Sequence, residues 1–318
     1  MTSTGCARRR GRAALAGLIA LLVVGCGSDD AEPDVSGVDL TVGSRDFTEQ
    51  YVLSAILLEA LDELGATVVD ATDTGDIATT RAALESGEID AYWEYNSAAL
   101  VEAFGLPGEP ETDGEDLTDE AAEIDAANGI TWLGRSTFNN TYGFALSDAL
   151  AEEHQSTRYS VGAFDLDDLA DLLEDDGDLV VCVEEGFQDR ADGLVLFEQH
   201  TGYAIPSEQL RVLGSTEEIY PLLDEGECDV GEVFTTDGQI AELGLEVVED
   251  PGVFLVYNAS LTIRDDAYEQ APDAFDQLVD DILSALSQQR ITELNGRVAA
   301  GEPVAEVADD FVDQFVTN

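Results

Sequence analysis

Two blocks of alternating strand and helix patterns constrain the fold of this 318-residue chain more than any other sequence feature. In the first block, the strand pattern "DLTV" precedes a long helical pattern that ends near Gly65. Strand, helix and strand then follow in "ATVVDAT", "DIATTRAALESG" and "IDAYWEY". The second block repeats this order between about residues 165 and 235. Such alternation is typical of a mostly parallel sheet covered by helices, so we predict an α/β fold.

Two extended segments could join the blocks, one around residues 138–145 and the other around residues 246–261. A chain with two such crossovers leaves the first block, builds the second and returns to the first. This connectivity predicts a hinged receptor of two α/β domains, with the ligand bound in the cleft between them. We therefore assign residues 38–141 plus 250–318 to domain 1 and residues 142–249 to domain 2.

The amino-terminal residues 1–25 predict an export signal rather than part of the fold. Four arginines precede an apolar run from 13 to 24, which is too short to span a bilayer because a membrane helix needs about 20 residues. The run ends in "VVGC", which resembles a bacterial lipobox, so Cys26 is predicted to be lipidated. An ordinary secretion signal that happens to contain a cysteine is the alternative. Residues 26–37 are predicted to be a flexible tether on the extracytoplasmic face of the cell membrane.

The charge of the chain limits its partners. It has 69 acidic residues against 13 arginines and no lysine, which gives a formal net charge of −56. Such a surface repels nucleic acid and anionic lipid head groups. We therefore expect no nucleic-acid partner, and membrane contact through the lipid anchor only. An acidic surface suits high ionic strength, where repulsion between its charges is screened.

Two cysteines remain outside the export signal and the lipobox. Cys182 lies on the predicted strand "LVVCV", and Cys228 begins the predicted strand "CDVGEVF". An exported protein with two such cysteines is a candidate for a disulfide, which is geometrically possible if the strands are neighbours. Two buried thiols are the alternative.

Motifs of enzymes and metal sites are missing from the sequence. His154 and His200 belong to no metal or nucleophile motif, and there is no G-x-S-x-G, Walker or C-x-x-C sequence. Carboxylate pairs such as Asp90 and Glu94 resemble a glycosidase dyad, but a chain with 69 acidic residues contains such pairs by chance. We predict a non-enzymatic protein without cofactor or metal, and keep a secreted hydrolase with paired carboxylates as a remote alternative.

Arginine is informative because it is scarce. Arg45 follows a predicted strand at the start of a helix, and Arg190 lies between a strand and a helix in the second block. In parallel α/β sheets that loop is where ligands bind. A guanidinium group can hold a carboxylate through two hydrogen bonds, so both arginines are candidates for a carboxylate clamp. Pairing with one of the many local acids is the alternative.

Four aromatic residues occupy similar positions, at the crossovers or where a strand ends: Tyr95, Tyr142, Phe234 and Tyr257. Strand alternation places Tyr92 with Glu94 on one face, and Trp93 with Tyr95 on the other. Taken singly, each ring more often belongs to a core. Together the four indicate a box for a bulky cation, because a quaternary ammonium group cannot donate N–H hydrogen bonds and binds ring faces instead.

Six segments occur in an order that resembles a known family: "VGSRDFTEQYVLSAIL", "ALESGEIDAYWEYNSAAL", "ITWLGRSTFNNTYGFAL", "FQDRADGL", "GECDVGEVFTTDGQI" and "VEDPGVFLVYNASLTIR". From about residue 40 to residue 297 the chain resembles the glycine betaine/carnitine/choline-binding lipoproteins of osmoprotectant ABC importers. The resemblance implies the periplasmic-binding-protein type II fold and an aromatic cage for trimethylammonium groups. It also implies two partners, an ABC permease and its cytoplasmic ATPase.

The resemblance assigns the cage to four rings. Tyr95 matches the tyrosine of the family's "EYTGT", and Tyr142 matches the tyrosine of "NNTY". Tyr257 matches the tyrosine of the "YN" segment. Phe234 stands where the family often has tyrosine before "TD", so it keeps a ring face but loses a hydroxyl group.

Polar contacts are also implied by the resemblance. Arg45 replaces the usual lysine of "GSKNFTE", Arg190 matches the arginine of "R-x-D-G", and Asn140 belongs to "NNTY". The family's "EYTGT" is "EYNSA" here, so Ala98 lacks the hydroxyl group of the family's threonine. Two neighbours are the candidates to replace that contact: Ser97 and Asn96.

The sequence therefore predicts a monomeric, lipid-anchored receptor that captures a quaternary ammonium osmoprotectant. Glycine betaine is the first ligand that we expect, and carnitine and choline are the other two. A receptor for another small solute, such as an amino acid, is the alternative function.

Overall fold

The computed structural model describes residues 34–108, 113–157, 164–190 and 192–316. The predicted signal peptide, Cys26 and most of the tether lie outside these residues, so the predictions made for them stay predictions. Within the described residues, no helix combines the length and apolarity that a membrane span requires.

The chain first builds a strand–helix alternation that begins as the sequence predicts. The elements are β1 (Asp39–Arg45), α1 (Thr48–Glu63), β2 (Thr67–Gly75), α2 (Ile77–Ser86), β3 (Ala91–Tyr95), α3 (Asn96–Ala98), α4 (Gly114–Ala126) and β4 (Ile130–Leu133). Local chemistry explains the ends of α2: the Asp76 side chain accepts a hydrogen bond from Thr79 N, and Gly87 ends the helix in the left-handed conformation that favours glycine.

A second alternation follows. Its elements are β5 (Tyr142–Leu146), α5 (Asp148–Thr157), α6 (Leu166–Asp175), β6 (Val181–Glu184), α7 (Glu185–Asp189), α8 (Leu194–Thr201), β7 (Leu210–Leu213), α9 (Ile219–Asp224), β8 (Val230–Phe234), α10 (Gly238–Leu243) and β9 (Glu246–Val247). The chain then returns through β10 (Ala259–Arg264), α11 (Asp265–Tyr268), α12 (Pro272–Ala285), α13 (Gln288–Ala299) and α14 (Val304–Phe315).

The strands form two five-stranded sheets, in the orders β2-β1-β3-β10-β4 and β7-β6-β8-β5-β9. We call the parts built around them the first lobe and the second lobe. The expectation of mostly parallel sheets is wrong, because β10 runs antiparallel to both β3 and β4, and β5 runs antiparallel to β8 and β9. Both β5 and β10 enter their sheet directly from a crossover, which fixes their opposite direction.

The two crossovers, 134–141 and 248–258, lie against each other. Asn140 N donates a hydrogen bond to Tyr257 O at 3.1 Å. Thr141 Oγ1 donates to Leu255 O at 2.6 Å. These bonds tie the crossovers into one connection between the lobes, whereas the domain boundaries given above stay a prediction.

Each lobe has its own core, and β3 shows how alternation sorts its side chains. Trp93 and Tyr95 belong to the large core of the first lobe, and Trp93 Nε1 donates to Leu53 O in α1 at 3.0 Å. Tyr92 packs on the opposite face of the sheet, in a smaller cluster. The second-lobe core is rich in phenylalanine. Side-chain direction on β3 therefore follows the period of two that the sequence predicts.

A disulfide joins Cys182 and Cys228 in the second lobe. Cys182 lies on β6, Cys228 precedes β8, and these strands are parallel neighbours. The Cα atoms of the two cysteines are 5.9 Å apart, inside the usual range for disulfides.

Candidate functional site

A cavity of about 800 Å³ lies between the lobes. Residues of both lobes and of both crossovers line it. Seven of the nine predicted ligand contacts belong to its wall: Arg45, Tyr95, Asn140, Tyr142, Arg190, Phe234 and Tyr257.

The ends of strands position these side chains. Arg45 ends β1, and Tyr95 ends β3, which runs parallel to β1. In the second lobe Phe234 ends β8, and the antiparallel strand β5 begins at Tyr142, which is the register partner of Phe234. The carboxyl ends of parallel strands meet at one edge of a sheet, so each lobe presents its strand-end residues to the cavity.

Three of the four predicted cage rings form one cluster. The ring centroids of Tyr142 and Phe234 are 5.0 Å apart, and those of Tyr142 and Tyr257 are 6.4 Å apart with the planes near perpendicular at 81°. Phe187 supports Tyr142 from the core, with centroids 4.9 Å apart. Tyr95 stands apart, with its ring centroid 6.2 Å from that of Phe47. The cavity therefore has a second-lobe aromatic wall and a separate first-lobe pair.

Arg190 enters the cavity already paired. Its Nε donates to Asp192 Oδ1 at 2.8 Å, and its Nη2 donates to Asp192 Oδ2 at 2.7 Å. The Tyr257 hydroxyl donates to the same carboxylate at 2.8 Å. Burial opposes ionisation of Asp192, but the hydrogen bonds from Arg190 outweigh it and lower its pKa. Nη2 also reaches Glu102 of the first lobe at 3.3 Å, so Arg190 links the lobes.

Arg45 is held more loosely. Its Nη1 lies 3.9 Å from Glu94 Oε1, and its Cζ lies 5.3 Å from the centroid of the Phe47 ring. Its Nε is buried and has no hydrogen-bond partner among the described residues. Arg45 therefore keeps a donor in the cavity wall that a ligand can use.

Glu49 is a functional candidate that the sequence argument missed. It lies in the first turn of α1, is 3% exposed, and lines the cavity. Its Oε1 accepts hydrogen bonds from the Tyr95 hydroxyl at 2.6 Å and from Asn140 Nδ2 at 3.0 Å, and its Oε2 accepts from Asn295 Nδ2 at 2.9 Å. Burial raises the pKa of Glu49, although these hydrogen bonds oppose the rise.

Different signals could have found the missed residues. Phe47 and Glu49 follow Arg45 in the loop and helix start "SRDFTE", so the rule that placed Arg45 in the cleft applies to them too. Asn295 lies 246 residues from Glu49 in the chain, and no sequence pattern joins the two.

Asn96 and Ser97 do not belong to the cavity wall. Asn96 Nδ2 donates to Gly114 O at 3.1 Å, and its Oδ1 accepts from Asn258 N at 3.1 Å. Ser97 is 2% exposed and its N donates to Asn96 Oδ1. Ala98 lines the cavity instead. The geometry therefore gives no support to Asn96 or Ser97 as replacements for the hydroxyl group that Ala98 lacks.

Two α/β lobes, joined by two crossovers around a cavity, define a solute-binding protein of the periplasmic-binding-protein type II fold. This agrees with the fold class expected from the sequence. The chain belongs to the family described as the substrate binding domain of ABC-type glycine betaine transport systems, whose model matches residues 38–314.

Named relatives agree with the family. The chain is 28% identical over 303 residues to a glycine-betaine-binding protein of Pseudomonas aeruginosa, which covers 93% of this chain and 94% of that relative. It is 27% identical to the glycine betaine-binding protein YehZ of Escherichia coli, over 86% of this chain and 89% of YehZ. The structure of apo YehZ matches with a TM-score of 0.71 at 26% identity, over 87% of this chain and 98% of that one.

These findings confirm the predicted family and the broad function. The protein is the substrate-binding component of an ABC importer for quaternary ammonium compatible solutes, and it belongs to an extracytoplasmic, non-enzymatic class of proteins. The family membership speaks against both the amino-acid receptor and the hydrolase with paired carboxylates.

Proposed function

We propose that the protein captures a trimethylammonium solute against the second-lobe aromatic wall and delivers it to an ABC permease from a lipid anchor at Cys26. Two relatives are named for glycine betaine, which makes it the first ligand to test, before carnitine and choline.

The observation that carries this proposal is the clustering of Tyr142, Phe234 and Tyr257 in the wall of one cavity. A quaternary ammonium cation binds ring faces with about 0.5–2 kcal/mol per ring, and more when water is excluded. The Phe47–Tyr95 pair adds ring surface on the first lobe. Closure of the lobes would bring both sets of rings around the cation.

A carboxylate on the solute would meet arginine. Arg45 is the stronger candidate, because its buried Nε has no partner among the described residues. Arg190 lines the same cavity but already holds Asp192 with two hydrogen bonds. We therefore propose that Arg45 makes the main carboxylate contact, and that Arg190 positions Asp192 and Tyr257.

Alanine variants test the cage. We expect Tyr142→Ala and Tyr95→Ala each to lose at least about 1 kcal/mol of binding free energy, or fivefold in affinity, for glycine betaine, carnitine and choline. Titration calorimetry measures this. The matched control is Tyr268→Ala, because Tyr268 lies on α11 and donates its hydroxyl to Asp276, away from the cavity. Unchanged binding of all three solutes by both cavity variants would reject the cage.

A further inference from the structure

Three side chains of the cavity wall form a hydrogen-bonded group that the aromatic cage does not need. Glu49 accepts a hydrogen bond from the side-chain amide of Asn140 on one oxygen and from that of Asn295 on the other. All three residues line the cavity, and Glu49 and Asn295 are each 3% exposed. We call Glu49, Asn140 and Asn295 the acceptor cluster.

The orientation of both amides follows from their partners. Asn295 Nδ2 donates to Glu49 Oε2 and also to Thr236 O at 2.8 Å, and both of these atoms are acceptors. Asn140 Nδ2 donates to Glu49 Oε1. An amide whose NH₂ group faces acceptors must turn its oxygen the other way, so the assignment of oxygen and nitrogen is fixed by the network.

The two amide oxygens are left without partners. Asn140 Oδ1 and Asn295 Oδ1 are buried and accept no hydrogen bond from the described residues. An unpaired buried acceptor costs about 1–3 kcal/mol. Two such oxygens beside a buried carboxylate form a part of the wall that can accept hydrogen bonds but has no donor to offer outwards.

We propose that the acceptor cluster binds a hydrogen-bond donor of the solute, so that the preferred solute is a trimethylammonium compound that also carries a hydroxyl or N–H group. This inference rests on the proposed function and narrows its ligand class. A trimethylammonium group has no N–H to give, and a carboxylate would be repelled by Glu49, so neither satisfies the cluster. Glycine betaine carries only those two groups, whereas choline and carnitine each carry a hydroxyl.

Matched pairs of ligands test this directly in the wild-type protein. Choline is compared with propyltrimethylammonium, in which a methyl group replaces the hydroxyl, and carnitine is compared with deoxycarnitine, which lacks its hydroxyl. Calorimetry should find the hydroxyl-bearing member of each pair bound about tenfold more tightly or better, as expected for hydrogen bonds to charged and buried acceptors. Equal affinities within each pair would overturn the inference, because solvent would then satisfy the two oxygens.

Variants locate the effect. Asn295→Leu and Asn140→Leu each remove an unpaired oxygen at similar volume, so the preference for the hydroxyl should fall to about threefold or less in both. The control is Asn128→Leu, because Asn128 is exposed and donates to Asp125 at 3.2 Å, outside the cavity. Its preference should equal that of the wild type.

The outcomes separate the two proposals. A preference that survives in both leucine variants would reject the acceptor cluster while leaving the aromatic cage intact. Failure of all four ligands to bind the wild-type protein would reject the proposed function, and this inference with it.

Discussion

Arg190 and Arg45 enter the same cavity from opposite lobes, but their guanidinium groups are in different states. Arg190 is held by two hydrogen bonds to Asp192, and Asp192 is bound in turn by the Tyr257 hydroxyl. Arg45 lies 3.9 Å from its nearest carboxylate oxygen and keeps a buried Nε without a partner among the described residues.

The same contrast extends across the two walls. The second-lobe wall is aromatic, and its rings already contact one another and Phe187 beneath them. The first-lobe wall contains the polar atoms without partners, at Arg45 and in the acceptor cluster. Polar atoms that lack partners are costly when buried, so a solute that supplies those partners gains binding free energy there. The comparison teaches that one wall is prepared for the cation and the other for the polar groups of the solute.

The largest expected effect concerns a weakness beneath the second-lobe wall. Glu232 lies on β8 two residues before Phe234, and its Oε1 has no partner among the described residues. Burial raises the pKa of Glu232 from 4.5 to about 7, while the hydrogen bond from Glu184 N opposes the rise. A raised carboxyl pKa favours the protonated folded state, so this stability is complete below pH 4.5 and is lost as the pH rises through about 7.

We expect Glu232→Gln to remove this part of the pH dependence. The shift corresponds to roughly 3 kcal/mol in the free energy of unfolding between the two ends of that pH range. Denaturant unfolding of wild type and variant between pH 4 and 8 measures it. The control is Glu225→Gln, because Glu225 is exposed at the end of α9. Parallel stability curves for wild type and Glu232→Gln would show that this carboxyl does not weaken the second lobe.

The next effect tests the contrast between the arginines. Arg45→Ala should weaken glycine betaine by about 2 kcal/mol, the scale of a hydrogen bond between charged groups, and choline by much less. Arg190→Ala leaves Asp192 without its cation, so it should weaken glycine betaine and choline by similar factors. Calorimetry with both solutes gives the two ratios. If Arg190→Ala instead discriminates against the carboxylate as strongly as Arg45→Ala, the second-lobe arginine is also a clamp and the comparison breaks.

The smallest effect concerns the approach of the two lobes. Gly238 begins α10 of the second lobe, which packs on α13 of the first lobe. A Cβ atom on Gly238 would lie 2.2 Å from Gly296 N, whereas a Cβ atom on Gly296 would find its nearest neighbour, Gly238 O, at 3.2 Å. We expect Gly238→Ala to hold the lobes apart and to weaken all three solutes alike by about 1 kcal/mol.

Gly296→Ala is the matched variant for this contact, and it should have a smaller effect. Calorimetry on both variants compares them with wild type, and small-angle scattering with and without solute reports whether the lobes still close. Wild-type affinity for Gly238→Ala would mean that solute binding does not need this close approach.

Much of the site could be predicted because side-chain direction on a strand is a local property. Alternation along β3 put Trp93 and Tyr95 on one face, and the structure places them there. The rule that ligands bind at the carboxyl ends of parallel strands brought Arg45 and Phe234 to the cavity. The same rule applied too broadly brought in Asn96, which follows β3 but turns into the first lobe to bind Gly114 and Asn258.

The sequence by itself determined the two α/β blocks, the two crossovers and the residue types gathered at the strand ends, because these depend on periodicity and on neighbours along the chain. Only the tertiary structure decided which of those polar groups were already satisfied. Asp192 fills the fork of Arg190, and Glu49 turns two distant asparagines so that their oxygens lack partners. A hydrogen bond requires atoms within about 3 Å in a suitable orientation, and only the packing of distant segments brings them there.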